Sequence, residues 1–286
     1  MGGATVGNGD RTKSDSCGLD SRRGSIGDAR MRVIYEPRGA AREYSPLAAN
    51  LYSGCSHGCT YCYVPGCLRR TREDFATVAA REHILKALER DAADMRKDPA
   101  LMELPVLLSF TCDPYQPLEE TLHLTRAGLE ILAAAGVRVR LLTKNPTLAL
   151  DLDSELLFSA GVEFGTTILF VDDAKRVLWE PNAPPVDSRI RALRRAKGIG
   201  LRTWVSLEPV IDPAEALALI GMIHDCVDVW KIGRWNHDKR ANAIDWPAFT
   251  EAALELLASV GARYYIKDEL WRSSGRPASH FAKSNI

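Results

Sequence analysis

The chain carries the stretch Cys55-Ser-His-Gly-Cys59-Thr-Tyr-Cys62-Tyr63, which places three of its seven cysteines within eight residues. Gly54 and Gly58 give this segment the backbone freedom that lets three side chains converge. A [4Fe–4S] cluster usually takes four thiolates, so three from one loop would leave one iron open to another ligand. The spacing therefore favours an iron–sulfur centre, and an open iron indicates chemistry rather than a purely structural role.

Two other interpretations of these thiols remain open from the residues alone. A structural zinc site would need a fourth ligand such as His57 or Cys67. Zinc sites normally show paired short spacings, and no second Cys-x-x-Cys and no His-x-x-x-His follows in the sequence. The third interpretation is that the cysteines are unrelated buried thiols.

Length and composition bound the remaining possibilities. At 286 residues the chain is long enough for one full α/β domain. Lys plus Arg and Asp plus Glu each total 37, so net charge does not argue for nucleic acid or an anionic membrane as partner. An odd number of cysteines, partly crowded together, fits a reducing compartment and predicts a cytoplasmic protein. No apolar run approaches the ~18 residues of a membrane-spanning helix, so no membrane partner is expected.

Three segments are predicted along the chain. Residues 1–30 are rich in Gly, Ser, Asp and Arg, have no apolar signal-peptide core and are predicted to form a disordered tail. Residues 31–270 are predicted to form a single domain, and residues 271–286 a C-terminal extension.

Apolar runs alternate with helical patterns through the central segment. Strands are predicted over residues 43–52, 105–110, 137–143, 162–169, 202–207, 227–232 and 264–267. Helices are predicted over 74–97 with Asp74 as cap, 118–135, 151–160, 187–197, from 213 to about 224, and after Asp245. Strands that are apolar throughout and alternate with helices indicate a parallel sheet covered by helices on at least one face.

Polar sequences follow several of these strands. They are the cysteine stretch, residues 111–116, Lys144-Asn145, Glu208 and residues 234–236. Ligands of parallel sheets bind beyond the carboxyl ends of the strands. We therefore expect one site to contain all of these sequences.

The cysteine spacing, with Tyr61 before the last cysteine, resembles the signature of radical S-adenosylmethionine (radical SAM) enzymes. More narrowly, the chain resembles the spore photoproduct lyase-like branch. The matching stretches are Asn-Leu-Tyr-Ser-Gly-Cys-Ser-His-Gly-Cys-Thr-Tyr-Cys-Tyr (50–63), Asp-Pro-Tyr-Gln-Pro (113–117), Leu-Leu-Thr-Lys-Asn (141–145) and Val-Asp-Val-Trp-Lys-Ile-Gly-Arg-Trp-Asn (227–236). The resemblance implies an α/β fold, a partial (β/α)6 barrel of mostly parallel strands with outer helices, over about residues 44–240.

The resemblance also implies the cofactors and the reaction. Cys55, Cys59 and Cys62 would ligate a [4Fe–4S] cluster, and S-adenosylmethionine would bind the fourth iron. One electron, from a reduced flavodoxin or ferredoxin-type donor, would cleave the cofactor to a 5′-deoxyadenosyl radical that abstracts hydrogen from the substrate. The protein would hold the reacting atoms in line and exclude water.

Further roles follow from the same resemblance. Lys144 would pair with the cofactor carboxylate. Tyr61 and Tyr63 would border the cluster and the adenine. Because Glu208 and Asp113 both follow predicted strands at the proposed site, either could receive the cofactor amino group or a substrate proton.

The loop after the second strand would supply the catalytic residues Cys112, Asp113 and Tyr115. The hydrogen-donating cysteine of the lyase stands three residues before the aspartate. Here Phe110 occupies that position, and Cys112 directly precedes Asp113.

The predicted substrate is a nucleic-acid base or nucleotide, in DNA repair or modification. Three basic segments are either solvated helix faces or the lining of a groove for phosphates and stacked bases. They are Arg69, Arg70 and Arg72, residues 189–197, and residues 231–240 with Trp235. The alternatives are a radical SAM reaction on a small molecule, peptide or modified nucleotide, and an iron–sulfur or zinc-containing sensor or binding module without catalysis.

Overall fold

The computed structural model describes residues 32–276. The predicted disordered tail, residues 1–30, therefore lies outside the described residues, as does the end of the predicted C-terminal extension from residue 277 onward.

Nine strands form two sheets within the described part of the chain. They are β1 (Leu47–Ala49), β2 (Tyr52–Ser53), β3 (Ala79–Ala80), β4 (Val106–Leu108), β5 (Val139–Thr143), β6 (Glu163–Thr167), β7 (Arg202–Val210), β8 (Val229–Arg234) and β9 (Arg263–Ile266). Seven of them form one sheet in the order β1-β4-β5-β6-β7-β8-β9, and every neighbouring pair is parallel. The strands β2 and β3 form a separate antiparallel pair.

The helices lie between the strands, as the alternation predicted. They are α1 (Val64–Cys67), α2 (Arg72–Ala76), α3 (Ile84–Met95), α4 (Pro99–Met102), α5 (Glu119–Leu122), α6 (Leu124–Ala134), α7 (Pro146–Ser159), α8 (Asp173–Trp179), α9 (Val186–Gly198), α10 (Pro213–Ile223), α11 (Trp246–Ser259) and α12 (Asp268–Ser273). Three 3-10 helices span Gly39–Glu43, His224–Cys226 and Lys239–Ala243.

Two predicted helices are wrong as continuous elements. The helix expected over residues 74–97 is α2 and α3, separated by β3, and Thr71 rather than Asp74 caps α2 through its side chain. The helix expected over 118–135 is broken at His123, which has a left-handed backbone with φ 48°. Left-handed residues do not continue an α-helix.

Further elements differ from the prediction. The strand expected over residues 43–52 is divided into β1 and the start of β2 at Tyr52, and a 3-10 helix that ends at Glu43 precedes it. The helix expected from 151 already begins at Pro146, because the Asn145 side chain accepts from Leu148 N and caps it. The sequence patterns did not predict α8.

The two faces of the main sheet differ in character. Toward the helices it buries large apolar side chains such as Leu141, Phe164, Leu207 and Ile232. The opposite face carries a small cluster around Tyr44 and Trp204 together with several charged side chains. The charged face is therefore the one that is not covered by the helix layer.

The charged face is concave. The Tyr44 ring centroid lies 6.0 Å from the Phe110 ring, which follows β4, and 4.5 Å from Lys267 Nζ, which follows β9. In a flat sheet these two strands would lie about 24 Å apart. The sheet therefore curls around Tyr44 as a partial barrel, and no pairing joins its edge strands β1 and β9 within residues 32–276. This confirms the predicted α/β class, with seven strands in the sheet where the expected barrel has six.

Candidate active site

Residues 54–63, the cysteine loop, are anchored to three other segments. Cys55 N donates to Phe75 O at 2.8 Å, Ser56 N to Gln116 Oε1 at 2.8 Å, and Thr60 N to Trp179 O at 2.9 Å. Gly54 has φ +85°, and a Cβ at this position would lie 2.2 Å from Thr77 O. Only glycine therefore fits at the start of the loop.

The three thiols of the loop are free, and Cys59 is buried. Burial raises the pKa of all three, that of Cys59 to about 12. The thiols also influence one another, since Cys59 raises the pKa of Cys55 and Cys62 raises the pKa of Cys59. As placed, no three His, Cys, Asp or Glu side chains in residues 32–276 are arranged to hold a metal ion.

Asp113 joins the cysteine loop to the end of β5. Its Oδ1 accepts from Tyr115 N at 2.9 Å and Thr143 Oγ1 at 2.6 Å, and its Oδ2 accepts from Lys144 N at 2.7 Å. The same Oδ2 lies 3.1 Å from His57 Nε2. Burial opposes the charge of Asp113, but His57 and these hydrogen bonds outweigh it and lower its pKa to about 2. Asp113 is therefore a buried, charged connection between three parts of the site.

A second buried network lies beside the loop. Tyr61 donates its hydroxyl to Glu180 Oε1, and Arg189 Nη1 lies 2.6 Å from Glu180 Oε2. The Lys144 ammonium lies 3.9 Å from Glu180 Oε1 and 5.6 Å from the Tyr61 ring centroid. Glu180 and Arg189 are fully buried, whereas the Lys144 side chain is 18% exposed. Burial opposes the charge of Glu180, but Arg189 and then Lys144 outweigh it and lower the pKa of Glu180, so Glu180 is ionised.

The concave face supplies a third polar group. Tyr44 donates its hydroxyl to Glu208 Oε2, and Lys267 Nζ donates to Glu208 Oε1 at 2.9 Å. A Cβ on Gly233 would lie 2.5 Å from the Glu208 carboxyl carbon, so the glycine leaves room for this carboxylate. Tyr63 of the cysteine loop is 39% exposed, and partial desolvation followed by the charge of Glu208 raises its pKa.

An open groove of about 460 Å³ adjoins the same edge of the sheet. The Tyr63 ring lies 6.1 Å from the His237 ring, which connects the cysteine loop to this groove. The groove combines basic, acidic and aromatic side chains: Arg234, Trp235, Asn236, His237, Asp238, Asn242, Glu269, Arg272 and Ser273.

The structure brings most of the predicted site residues to one end of the sheet, but their environments differ. Cys112 Sγ lies 3.2 Å from Ser109 Oγ and is partly exposed. Tyr115 is fully buried and donates to Asp153 Oδ2 at 2.8 Å. This placement supports a packing role for Tyr115, and the catalytic roles assigned to this loop stay predictions.

Two of the predicted phosphate-contacting segments contain buried cations. Arg189 is fully buried against Glu180, and Lys231 is 3% exposed and donates to Tyr44 O at 2.6 Å. Neither side chain lines a surface groove. Arg72 instead donates to the carbonyls of Cys59 and Cys62, at 3.1 and 3.3 Å, and supports the cysteine loop.

Sequence reasoning placed Arg189 in a phosphate-contacting segment rather than in the buried network, and it missed three residues of the site: Tyr44, Glu180 and Lys267. None of them lies in a spaced motif, and their partners are distant in the chain. One local feature could have drawn attention to Glu180: the polar sequence Glu180-Pro-Asn182, which follows a segment with no predicted helix or strand. Asn182 Nδ2 donates to Ser56 O at 3.0 Å, so this segment contacts the cysteine loop directly.

Comparison with known proteins gives relatives in sequence and in structure. The protein ORF301 of Acidianus two-tailed virus is 30% identical over 210 residues, which cover 68% of this chain and 69% of the viral protein. The chain belongs to the same family as ORF301. No protein-family model matches the chain.

Two solved structures share the fold. Spore photoproduct lyase complexed with dinucleoside spore photoproduct superposes with a TM-score of 0.62 at 15% identity, covering 80% of this chain and 78% of the lyase. SuiB of Streptococcus suis bound to S-adenosylmethionine superposes with a TM-score of 0.59 at 10% identity, covering 79% of this chain and 51% of SuiB. The chain therefore has the radical SAM fold in a form similar to spore photoproduct lyase. None of the helices in residues 32–276 is long and apolar enough to cross a membrane.

Proposed function

We propose that the protein is a radical SAM enzyme whose [4Fe–4S] cluster is held by Cys55, Cys59 and Cys62. The observation that carries this proposal is the position of three free thiols on one loop at the carboxyl edge of a radical SAM fold. Soft thiolates select iron–sulfur clusters, and the positive charge of bound iron favours the thiolate form that burial alone disfavours. The donor set thus fits a cluster, although its side chains would have to turn toward one another to bind it.

S-adenosylmethionine is the second proposed cofactor, because SuiB with the same fold binds it. Lys144 offers a cation for the cofactor carboxylate, since its Nζ makes no hydrogen bond to the described residues and only a long ion pair to Glu180. Tyr61 and Tyr63 flank Cys62 within the loop and would border the cluster and the adenine, and Glu208 offers a carboxylate for the amino group. A reduced flavodoxin or ferredoxin-type protein is the proposed electron donor.

When bound, the cluster and cofactor would supply a 5′-deoxyadenosyl radical that takes a hydrogen atom from the substrate. The protein's own residues orient and shield these groups. Asp113 fixes the backbone of Lys144 relative to His57 of the cysteine loop. Cys112 at the rim is the proposed hydrogen donor to the product radical.

A nucleic-acid base or nucleotide is the proposed substrate, in DNA repair or modification. The related lyase structure holds a dinucleoside photoproduct. The groove beside Tyr63 presents Arg234, Arg272 and His237, a combination suited to phosphates and a stacked base, whereas Trp235, which was expected to stack on bases, is only 5% exposed.

A small molecule, peptide or modified nucleotide is the second candidate substrate. The groove also contains Asp238 and Glu269, whose charges oppose a polyanion, and SuiB has been determined bound to a precursor peptide.

Cluster assembly is tested by anaerobic reconstitution followed by iron and sulfide analysis. Single Ala substitutions of Cys55, Cys59 and Cys62 should each abolish the cluster, whereas Cys226→Ala, which removes a buried free thiol that follows α10, should retain it. Equal iron content in all four variants would overturn the assignment.

The substrate class is tested by DNA binding at low and moderate salt. Charge reversal at Arg234 and Arg272 should weaken binding and reduce its salt dependence. The control is charge reversal at Lys97, which follows α3, lies outside the predicted phosphate-contacting segments and is 75% exposed. Absence of binding at low salt would favour the second candidate.

A further inference from the structure

The buried network of Lys144, Glu180 and Arg189 contains two cations and one anion within the part of the chain that the structure describes. Arg189 Nη1 lies 2.6 Å from Glu180 Oε2, a close ion pair, whereas Lys144 Nζ lies 3.9 Å from Glu180 Oε1, beyond hydrogen-bond distance. The Glu180 carboxylate is thus committed to Arg189 and to the Tyr61 hydroxyl. Because Glu180 is already paired with Arg189, the Lys144 ammonium is the one positive charge of this network that has no closely paired anion among the described residues.

Arg189 is itself held rigidly. Its Nη1 donates to Thr167 O, the last residue of β6, at 3.0 Å, and its Nε donates to Pro184 O at 2.9 Å. The side chain therefore fixes Glu180 relative to the sheet. If Arg189 lost its charge, Lys144 would be the cation nearest to Glu180 among residues 32–276.

We propose that Arg189 is a positioning residue that neutralises Glu180 and thereby keeps Lys144 available for an anionic group of the cofactor. This inference rests on the proposed radical SAM function and extends it to residues that do not touch the cofactor. The Lys144 side chain is only 18% exposed and its ammonium has a long ion pair but no hydrogen-bonded anion within the described part of the chain, so a further anion that joins it would be stabilising. The carboxylate of S-adenosylmethionine supplies that anion.

The test measures the Kd for S-adenosylmethionine by equilibrium dialysis on protein reconstituted with iron and sulfide. In Arg189→Met, Glu180 should move onto Lys144 and weaken cofactor binding by about 10- to 100-fold, the range for one charged hydrogen bond. Adding Glu180→Gln to this variant removes the competing carboxylate and should restore the Kd to within about threefold of the wild type. A residue that acted only through packing would show no such rescue.

Two controls complete the design. Arg195→Met makes the same change on the same helix, at an exposed arginine that pairs with Asp151, and should leave the Kd unchanged. Glu180→Gln alone should bind the cofactor at least as well as the wild type, and this variant keeps the proposal testable if Arg189→Met fails to fold.

Three results would overturn the proposal: wild-type affinity in Arg189→Met, equal weakening in Arg189→Met with and without Glu180→Gln, or tenfold weaker binding in Glu180→Gln alone. Failure of the proposed function is distinguishable from all three, because the wild type itself would then assemble no iron and sulfide and bind no cofactor. That result would remove the basis of both proposals.

Discussion

Replacement of Asp113 by Asn tests whether one buried carboxylate holds the site together. The side chain is 7% exposed and receives hydrogen bonds from Tyr115 N, Thr143 Oγ1 and Lys144 N. Asparagine has nearly the same shape but no charge, and its amide group would direct N–H toward groups that are themselves donors. The substitution should therefore destabilise the protein without leaving a cavity.

The expected loss of stability follows from the pKa of Asp113 and from its hydrogen bonds. Lowering the Asp113 pKa from 3.8 to about 2 corresponds to about 2 kcal/mol of folding free energy at neutral pH. An amide that faces buried donors adds about 1–3 kcal/mol. We expect Asp113→Asn to lower the free energy of unfolding by about 3–5 kcal/mol at pH 7.

The pH dependence has a defined sign. Because the folded-state pKa lies below the unfolded value, the contribution of the charge is fully present above about pH 5 and is lost as the pH falls through 3.8 toward 2. The difference between wild type and variant should therefore shrink by about 1 kcal/mol by pH 3.

This difference can be measured by urea unfolding at pH 7, 5, 4 and 3. The proteins compared are the wild type, Asp113→Asn and the control Asp225→Asn. Asp225 is 60% exposed in a long pair with Arg194, so its replacement should change stability by less than about 1 kcal/mol. A difference for Asp113→Asn that is no larger than the control, or that does not vary with pH, would refute the reasoning.

Two further substitutions test the packing around the site. Gly165→Ala should lower the free energy of unfolding in urea by about 1–3 kcal/mol, because a Cβ at this position would lie 2.1 Å from Trp204 Cε2. The control Gly198→Ala, where a Cβ would meet nothing within 4 Å, should be neutral or slightly stabilising. Equal effects of the two substitutions would contradict the close contact between Gly165 and Trp204. Tyr115→Phe removes the hydrogen bond to Asp153 and should lower the free energy of unfolding by about 1–2 kcal/mol without changing S-adenosylmethionine cleavage. Loss of cleavage in a stably folded variant would show that Tyr115 is catalytic.

The sheet was predictable because each of its strands is a short apolar run between helical patterns. The strand positions for β4 to β9 follow from those runs to within a few residues. The breaks in the helices were not predictable in the same way. Thr77 leaves α2 in an extended conformation and His123 is left-handed, and neither residue type requires that backbone.

The cysteine loop and Lys144 were identifiable because their signals are local in the sequence. The network that supports them was not. Glu180 contacts Tyr61, 119 residues away, and such a pair leaves no periodic pattern in a single chain. Tyr44 was likewise hidden, because its importance arises from the curvature of the sheet that brings Glu208 and Lys267 around it.

Reductive cleavage of S-adenosylmethionine is the central claim, and its product can be measured directly. Protein reconstituted anaerobically with iron and sulfide, then reduced in the presence of S-adenosylmethionine, should form 5′-deoxyadenosine and methionine, and Cys59→Ala should form neither. A reconstituted wild type that contains iron and sulfide but yields no 5′-deoxyadenosine under reducing conditions would contradict the account.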